Sequence, residues 1–350
     1  MREPTALVAT QDLAIHFANT HGRGNVKAVD GVTLAVVRGE TFGIIGESGS
    51  GKSTLGRALV GLQKPSKGRV FHEGRDLFAL GRRDLARHRR DFPIVFQDAA
   101  MAMDPRMTIT QSVREPLDIA AAMPAAARDA RVAELLDAVG LLPEHGARYP
   151  RELSGGQNQR ATIARALALS PKLILCDEVV APLDVSIQAD ILNLFAHLQQ
   201  LLDLTYVFIT HDLGVVAHIS DRIAVMYLGK FVEVAPAASL MKAPLHPYTQ
   251  ALLSAEPDPA AILADRRQRI VLQGEIPNAI APPSGCRFRT RCWRATEQCA
   301  ATEPPLREIE RGRSVACHHV DRAALAGSGS GSGAQPDISS GAPGRASVSI

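Results

Sequence analysis

Residues 46–53 read Gly46-Glu47-Ser48-Gly49-Ser50-Gly51-Lys52-Ser53, with Thr54 next. The glycines let the backbone curl until several N–H groups point at one anion. A helix starting near Lys52 would aim its positive end at the same place. A lysine there can reach the β- and γ-phosphates of a nucleotide, and the Ser53 hydroxyl can ligate Mg²⁺. The bland alternative is a glycine-rich turn with a stray lysine. The apolar stretch Thr41-Phe42-Gly43-Ile44-Ile45 before it and the helical pattern after it are the context a phosphate cradle needs. A second candidate is Leu173-Ile174-Leu175-Cys176-Asp177-Glu178, a buried-strand pattern that ends in two adjacent carboxylates. Ligands of open α/β sheets bind at that end of the strands. Asp177 would hold Mg²⁺ through water, and Glu178 would polarise an attacking water as general base. The two motifs together imply hydrolysis of a nucleoside triphosphate.

The elements that must position these residues follow from pattern. Residues 32–45 read as two short strands around a turn, the second running into the glycine loop. Residues 81–90 hold Arg82, Arg83, Arg87, Arg89 and Arg90, which read as a solvated helix face, with a phosphate or lipid patch as the alternative. Residues 111–146 are Ala-rich and helical, broken at Pro124. A helix is expected over 157–170 and another over 186–203. Residues 172–176 and 206–209 read as strands buried on both faces of a parallel sheet. Residues 222–235 read as a hairpin near the sheet edge. The composition turns proline- and cysteine-rich after Ala243, and from Gly327 it becomes a Gly/Ser stretch expected to be disordered.

Between the two motifs lies Leu153-Ser154-Gly155-Gly156-Gln157, which resembles the signature of the ABC ATPases. Ser154 and the glycine backbone at a helix N-terminus make a second anion site. In that family it faces the γ-phosphate held by another subunit, so two subunits sandwich ATP. Gln97, in Val95-Phe96-Gln97-Asp98, resembles the Q-loop glutamine that senses Mg²⁺ and the attacking water. His211, in Ile209-Thr210-His211-Asp212, resembles the switch histidine, and Asp184 resembles the D-loop aspartate at the dimer interface. Phe17 is the candidate for the aromatic residue that stacks on adenine in the family. Departures are Val179 in place of the usual proline, Ala181-Pro182 in the D-loop, and Asn158 in place of a basic residue. None removes a ligand or the base. Pro182 removes a backbone donor, so slower hydrolysis than in relatives is the expectation.

His246-Pro247-Tyr248-Thr249-Gln250, Gly274-Glu275-Ile276-Pro277 and Pro282-Pro283-Ser284-Gly285-Cys286-Arg287-Phe288 are similar to the C-terminal extension of oligopeptide/dipeptide importer ATPases, and Arg291-Cys292 continues the likeness. Asp184-Val185-Ser186-Ile187-Gln188 looks like the second of the two ATPases such importers carry. The expected fold is α/β: a P-loop NTPase core over 1–243 with an inserted helical subdomain at about 98–167, a small cysteine-containing C-terminal domain over 244–325, and a tail over 326–350. The resemblance implies ATP and Mg²⁺ as ligands, a homologous second ATPase, two membrane permease subunits, and an extracytoplasmic solute-binding protein acting indirectly. It places the chain on the cytoplasmic face of the membrane. A nucleotide-binding regulatory subunit and an ABC ATPase outside transport are the rival readings.

Cys286, Cys292, Cys299 and Cys317 are four of the five cysteines, crowded into the last quarter of the chain. In a reducing compartment such a group reads as a metal or cluster site before disulfides. Four thiolates suit an iron–sulfur cluster or tetrahedral zinc, though the short pairs zinc favours are absent; reduced structural thiols remain open. The resemblance implies a [4Fe–4S] cluster. His318 and His319 beside Cys317 read as surface residues, and Cys176 as a small buried apolar one.

Bulk properties narrow the classes further. The 350 residues suffice for one large domain and an appendage, and 46% hydrophobic residues allow a sizeable core. A net charge of +3 gives no nucleic-acid signature. No run of about 18 apolar residues is present, and Met1–Thr10 lacks the apolar core of a secretory signal.

Overall fold

The computed structural model describes residues 6–19, 24–121, 123–255 and 269–320. The tail expected at 326–350 lies outside the described residues. The strands are β1 (Ala6–Ala18), β2 (Asn25–Val37), β3 (Thr41–Ile45), β4 (Lys67–His72), β5 (Arg75–Asp76), β6 (Ile94–Val95), β7 (Leu173–Asp177), β8 (Thr205–Thr210), β9 (Arg222–Tyr227), β10 (Lys230–Pro236), β11 (Arg307–Glu310) and β12 (Arg313–Val315). The α-helices among the described residues are α1 (Lys52–Leu59), α2 (Arg82–Asp91), α3 (Ile109–Ala120), α4 (Ala125–Ala138), α5 (Pro143–Gly146), α6 (Gly155–Leu167), α7 (Val185–Leu202), α8 (Leu213–Ile219), α9 (Ala237–Lys242), α10 (Pro247–Ala255) and α11 (Glu297–Ala301).

Two sheets carry the fold. A four-stranded antiparallel sheet runs β2-β1-β4-β5, and an eight-stranded sheet runs β11-β12-β10-β9-β3-β8-β7-β6. Within the larger sheet, β9, β3, β8, β7 and β6 are parallel. Alternate residues of its central strands enter different cores, as a period of two requires. Leu173, Leu175, Val207 and Ile209 pack with α1 and the antiparallel sheet. Ile174, Cys176, Tyr206 and Phe208 pack with helices α3, α4, α6 and α7. Both runs are therefore buried on two faces, as their continuous apolar sequence predicts.

Local signals fix the helix boundaries. Thr108 and Gln111 close a capping box at α3, and Ser154 and Gln157 close another at α6. Pro124 precedes α4 and ends the preceding turn. Helix α2 buries none of its residues, so its arginines face solvent, except that Arg89 donates to the Gly61 carbonyl at 2.9 Å.

The hairpin expected near the sheet edge at 222–235 forms as β9 and β10, with β12 and β11 beyond it. Strand β12 pairs antiparallel with β10, Glu233 opposite Val315 and Val234 opposite Ser314. Backbone groups that an edge would leave unpaired are taken up by the C-terminal residues. The fully buried Glu233 carboxylate accepts the N–H groups of Leu245 and His246 and lies 3.5 Å from Arg313. A buried charge is tolerable only when so satisfied. Among the described residues no helix is long and apolar enough to cross a membrane.

Candidate active site

The glycine loop links β3 to α1. Gly51, the residue before α1, has φ +105°, and a Cβ there would lie 1.9 Å from the Ala28 carbonyl oxygen. Only glycine fits that position. Lys52 is nearly buried and its Nζ donates to the carbonyls of Gly46 (2.7 Å) and Glu47 (3.0 Å), folded back onto its own loop. Burial pulls its pKa down, against the fields of Glu178, Asp177 and Glu47. A cavity of about 190 Å³ lies over the loop, lined by Ser48, Gly49, Gly51, Lys52, Ser53 and Thr54, with Val26, Ala28, Glu178 and Ala279 as its walls. Phe17 is partly exposed and sits opposite Val26 in the β1–β2 register, beside that wall rather than in it.

The carboxylate pair arrives from the next strand but one. Ser53 Oγ donates to Asp177 Oδ1 at 2.8 Å. Burial raises the Asp177 pKa, opposed by that hydrogen bond and by Arg57. Glu178 leaves β7 in the left-handed region at φ +53°, its N–H on the Ile209 carbonyl at 2.8 Å. A glutamate held there is strained, and such residues cluster at functional sites. Its Oε1 lies 3.5 Å from His211 Nδ1 at the end of β8. Gln97 shares a second cavity of about 490 Å³ with Ser53, Asp177 and Glu178. Mg²⁺ dehydrates reluctantly and takes one or two carboxylates plus phosphate oxygens, so Ser53 and Asp177 side by side suit it. The structure therefore gathers the loop, Gln97, Asp177, Glu178 and His211 into one site.

It does not bring Ser154, Gly155, Gly156, Gln157 or Asp184 there, since none lines either cavity. Ser154, Gly155 and Asp184 face solvent instead. Ser154 Oγ accepts the Gln157 N–H at 3.2 Å as the cap of α6. Gly156 is buried where a Cβ would meet Ile187 Cγ2 at 2.7 Å, so the signature packs tightly on α7. The departures have local explanations. Asn158 is buried, and its Nδ2 donates to the Pro150 carbonyl at 2.9 Å, tying down the segment before the signature. Val179 is buried in the core behind β7. Ala181 and Pro182 are exposed beside Asp184.

Sequence reasoning missed Arg57, whose charge acts on Asp177 from the next turn of α1. It also missed the C-terminal residues that hold the loop and the neighbouring strand β2. The Lys27 N–H donates to the Ala279 carbonyl at 3.1 Å, Arg287 pairs with Asp30, and Arg291 pairs with Glu47. Arg287 and Arg291 each adjoin a cysteine, and their sequence signal was absorbed into the family likeness.

The four C-terminal cysteines are neighbours. Burial, and then the fields of Cys299, Cys317 and Cys292, pushes the Cys286 thiol up to about 11. Cys292 and Cys317 are also raised, by burial first. Among the described residues no three His, Cys, Asp or Glu side chains are gathered to hold a metal ion. The geometry therefore supports neither the zinc nor the iron–sulfur alternative. His319 is also not a bare surface residue: it is half-buried, with Nε2 3.5 Å from Cys299 Sγ.

Two family models match the chain: the ABC transporter model over residues 29–181 and the oligopeptide/dipeptide transporter C-terminal region over 232–299. The putative oligopeptide transport ATP-binding protein YkfD of Bacillus subtilis is 50% identical over 313 residues, covering 89% of this chain and 95% of its own length. The oligopeptide transport ATP-binding protein OppF of Salmonella typhimurium is 47% identical, over 90% and 96%. The ATP-binding cassette MJ0796, in a dimeric post-hydrolysis structure bound to ADP and Pi, superposes with a TM-score of 0.59 at 31% identity, over 66% of this chain and 98% of that one. With relatives near half identity along almost their whole length, and a site built as the loop and carboxylate motifs require, the chain belongs to the ABC transporter ATP-binding proteins that carry the oligopeptide/dipeptide transporter C-terminal region.

Proposed function

We propose that this chain binds and hydrolyses ATP to energise the import of di- or oligopeptides, working on the cytoplasmic face of a membrane. Its partners are a homologous second ATPase, two permease subunits and, indirectly, an extracytoplasmic solute-binding protein. One observation carries the reading: Ser53 bonded to Asp177 at 2.8 Å, beside Glu178 facing His211 at 3.5 Å, at the mouth of a glycine loop. The named transport roles of YkfD and OppF support the solute class.

The residues divide the work. N–H groups of residues 48–54 cradle the phosphates, and Lys52 turns from the Gly46 and Glu47 carbonyls onto them. Ser53 and Asp177 would hold Mg²⁺, which when bound neutralises charge on the β- and γ-phosphates, with Gln97 at its edge. Glu178 takes the proton of the attacking water, and His211 fixes that water and the γ-phosphate. The exposed Ser154, Gly155 and Asp184 form the face offered to the second subunit, whose own signature would close this site. The permease docks in a cavity of about 350 Å³ where β6 meets α3 and α6, lined by Phe96, Pro116 and Ile119 next to Gln97. Its exposed apolar rim suits a helix from a partner.

Cys286, Cys292, Cys299 and Cys317 are proposed as ligands of a [4Fe–4S] cluster. The support is the family likeness and the crowding of four thiols, which ligation would relieve. Iron and acid-labile sulfide in anaerobically purified protein test it; their absence there removes the cluster.

The test of the main reading is ATP turnover of the chain co-expressed with its permease and partner ATPase, wild type against Glu178→Gln. Loss of the base should lower turnover by about 10²- to 10⁴-fold. Equal, slow rates would instead favour a regulatory subunit that binds ATP without using it.

A further inference from the structure

Glu47 is the second residue of the phosphate loop, and it is acidic. A carboxylate in a cradle built for a triphosphate repels the ligand unless its charge is met. Every polar group of Glu47 is held. Its carbonyl accepts from Lys52 Nζ at 3.0 Å. Its N–H donates to Tyr248 Oη at 2.9 Å, so that amide is committed away from any phosphate. Its carboxylate takes a two-pronged ion pair from Arg291, Nη1 to Oε2 at 2.8 Å and Nη2 to Oε1 at 3.1 Å. Such forked pairs are stronger and more directional than single contacts.

Both partners come from the C-terminal region, 201 residues away for Tyr248 and 244 for Arg291. They are firmly seated. Tyr248 is fully buried, its ring 4.8 Å from Tyr227 and 5.3 Å from Phe288. The Arg291 side chain is 8% exposed, and its guanidinium lies over the Tyr227 ring at 5.9 Å. A side chain so packed has little freedom left to lose when it grips a partner.

We propose that Arg291 is a positioning residue for ATP: it neutralises and fixes the Glu47 carboxylate, so that the C-terminal region completes the phosphate cradle of the ATPase core. Tyr248 supports the same limb of the loop from below. Arg291 acts through Glu47 and touches no nucleotide itself. The inference rests on the nucleotide-site reading above.

The test is Mg-ATP affinity of the full chain, in a Glu178→Gln background to prevent turnover. If that parent binds no ATP, the functional reading itself fails. If it binds, Arg291→Ala should weaken binding about tenfold or more, the effect of stranding a hydrogen-bonded charge. Adding Glu47→Gln to Arg291→Ala should restore most of the loss, because the stranded charge is then gone. A merely structural arginine would leave the double variant as weak as the single one, and that result overturns the proposal. Lys230→Ala serves as control: it breaks the 2.6 Å Lys230–Glu303 contact, another tie to the C-terminal residues that does not touch the loop. Its affinity should stay at the parent value, and a loss equal to that of Arg291→Ala would also overturn the idea. Should Arg291→Ala not fold, Arg291→Met keeps the packed stem and removes only the charged head, with the same two outcomes.

Discussion

His246 offers a clean measure of how the C-terminal region is tied to the core. The imidazole is fully buried at the start of α10, with Nδ1 accepting the Tyr248 N–H at 3.0 Å. Its own backbone N–H donates to Glu233 at 2.9 Å. Burial pulls its pKa from 6.5 down to about 3, so it stays neutral in the fold. In the unfolded chain it titrates near the usual value of about 6.5. The unfolded state therefore takes up the proton first. The stability this site contributes is fully present above about pH 6.5 and is lost as the pH falls toward about 3. Going from about pH 7.5 to about pH 5 stabilises the unfolded state by about 2 kcal/mol and the folded state by almost nothing. Burial also lowers His72 to about 4, which adds a loss of the same sign. The informative comparison is therefore with His246→Asn, whose side-chain oxygen can still accept the Tyr248 N–H but does not titrate. The single tryptophan, Trp293, lies among the C-terminal residues and reports their unfolding. Urea titrations followed by its emission at the two pH values should show wild type losing about 2 kcal/mol more than His246→Asn. Equal losses would refute a buried neutral imidazole.

Two further outcomes follow from packing. Gly156→Ala puts a methyl group 2.7 Å from Ile187 Cγ2, on a side chain too stiff to move away. The overpacking should cost about 1–3 kcal/mol, offset in part by the better helix former, and is read as a lowered urea midpoint without lost helical circular dichroism. Cys176 is fully buried, with its thiol pKa pushed well above the ordinary value by that burial, so it should resist alkylation in the native chain and react only in denaturant. Peptide mass spectrometry after each treatment checks this, and native labelling of Cys176 would contradict the buried β7 strand.

The residues that could be read from sequence are those whose chemistry is local. The loop from Gly46 to Ser53 needs glycines within a few residues of the lysine, and Asp177 and Glu178 need only the strand that carries them. Strands β7 and β8 were readable because each is buried on two faces, which leaves an unbroken apolar run. The capping serine of the signature announces its helix in the same way. Strand β12 is different. Its three residues, Arg313-Ser314-Val315, carry no period, and they form a strand because β10 offers them unpaired backbone groups. No pattern within either segment marks that pairing, so the two strands beyond the hairpin were not readable from sequence.

The hold on Glu47 escaped for a related reason. Read alone, Glu47 is a tolerated position in a glycine loop, Tyr248 is an aromatic in a family motif, and Arg291 is a basic residue beside a cysteine. Their meaning lies in separations of 201 and 244 residues, which only the fold closes. The limb that bears Glu47 is completed by Tyr248, which packs on Phe288, and by Arg291, all downstream of the ATPase core. A core lacking them would leave the Glu47 amide without its acceptor and its carboxylate without its counter-charge, at the one place where a polyanion must bind. The C-terminal region is thus better understood as part of the nucleotide site's support than as an appendage laid over a finished enzyme. Cys292 adjoins Arg291, which carries this support, and Cys286 adjoins Arg287, which pairs with Asp30 of β2.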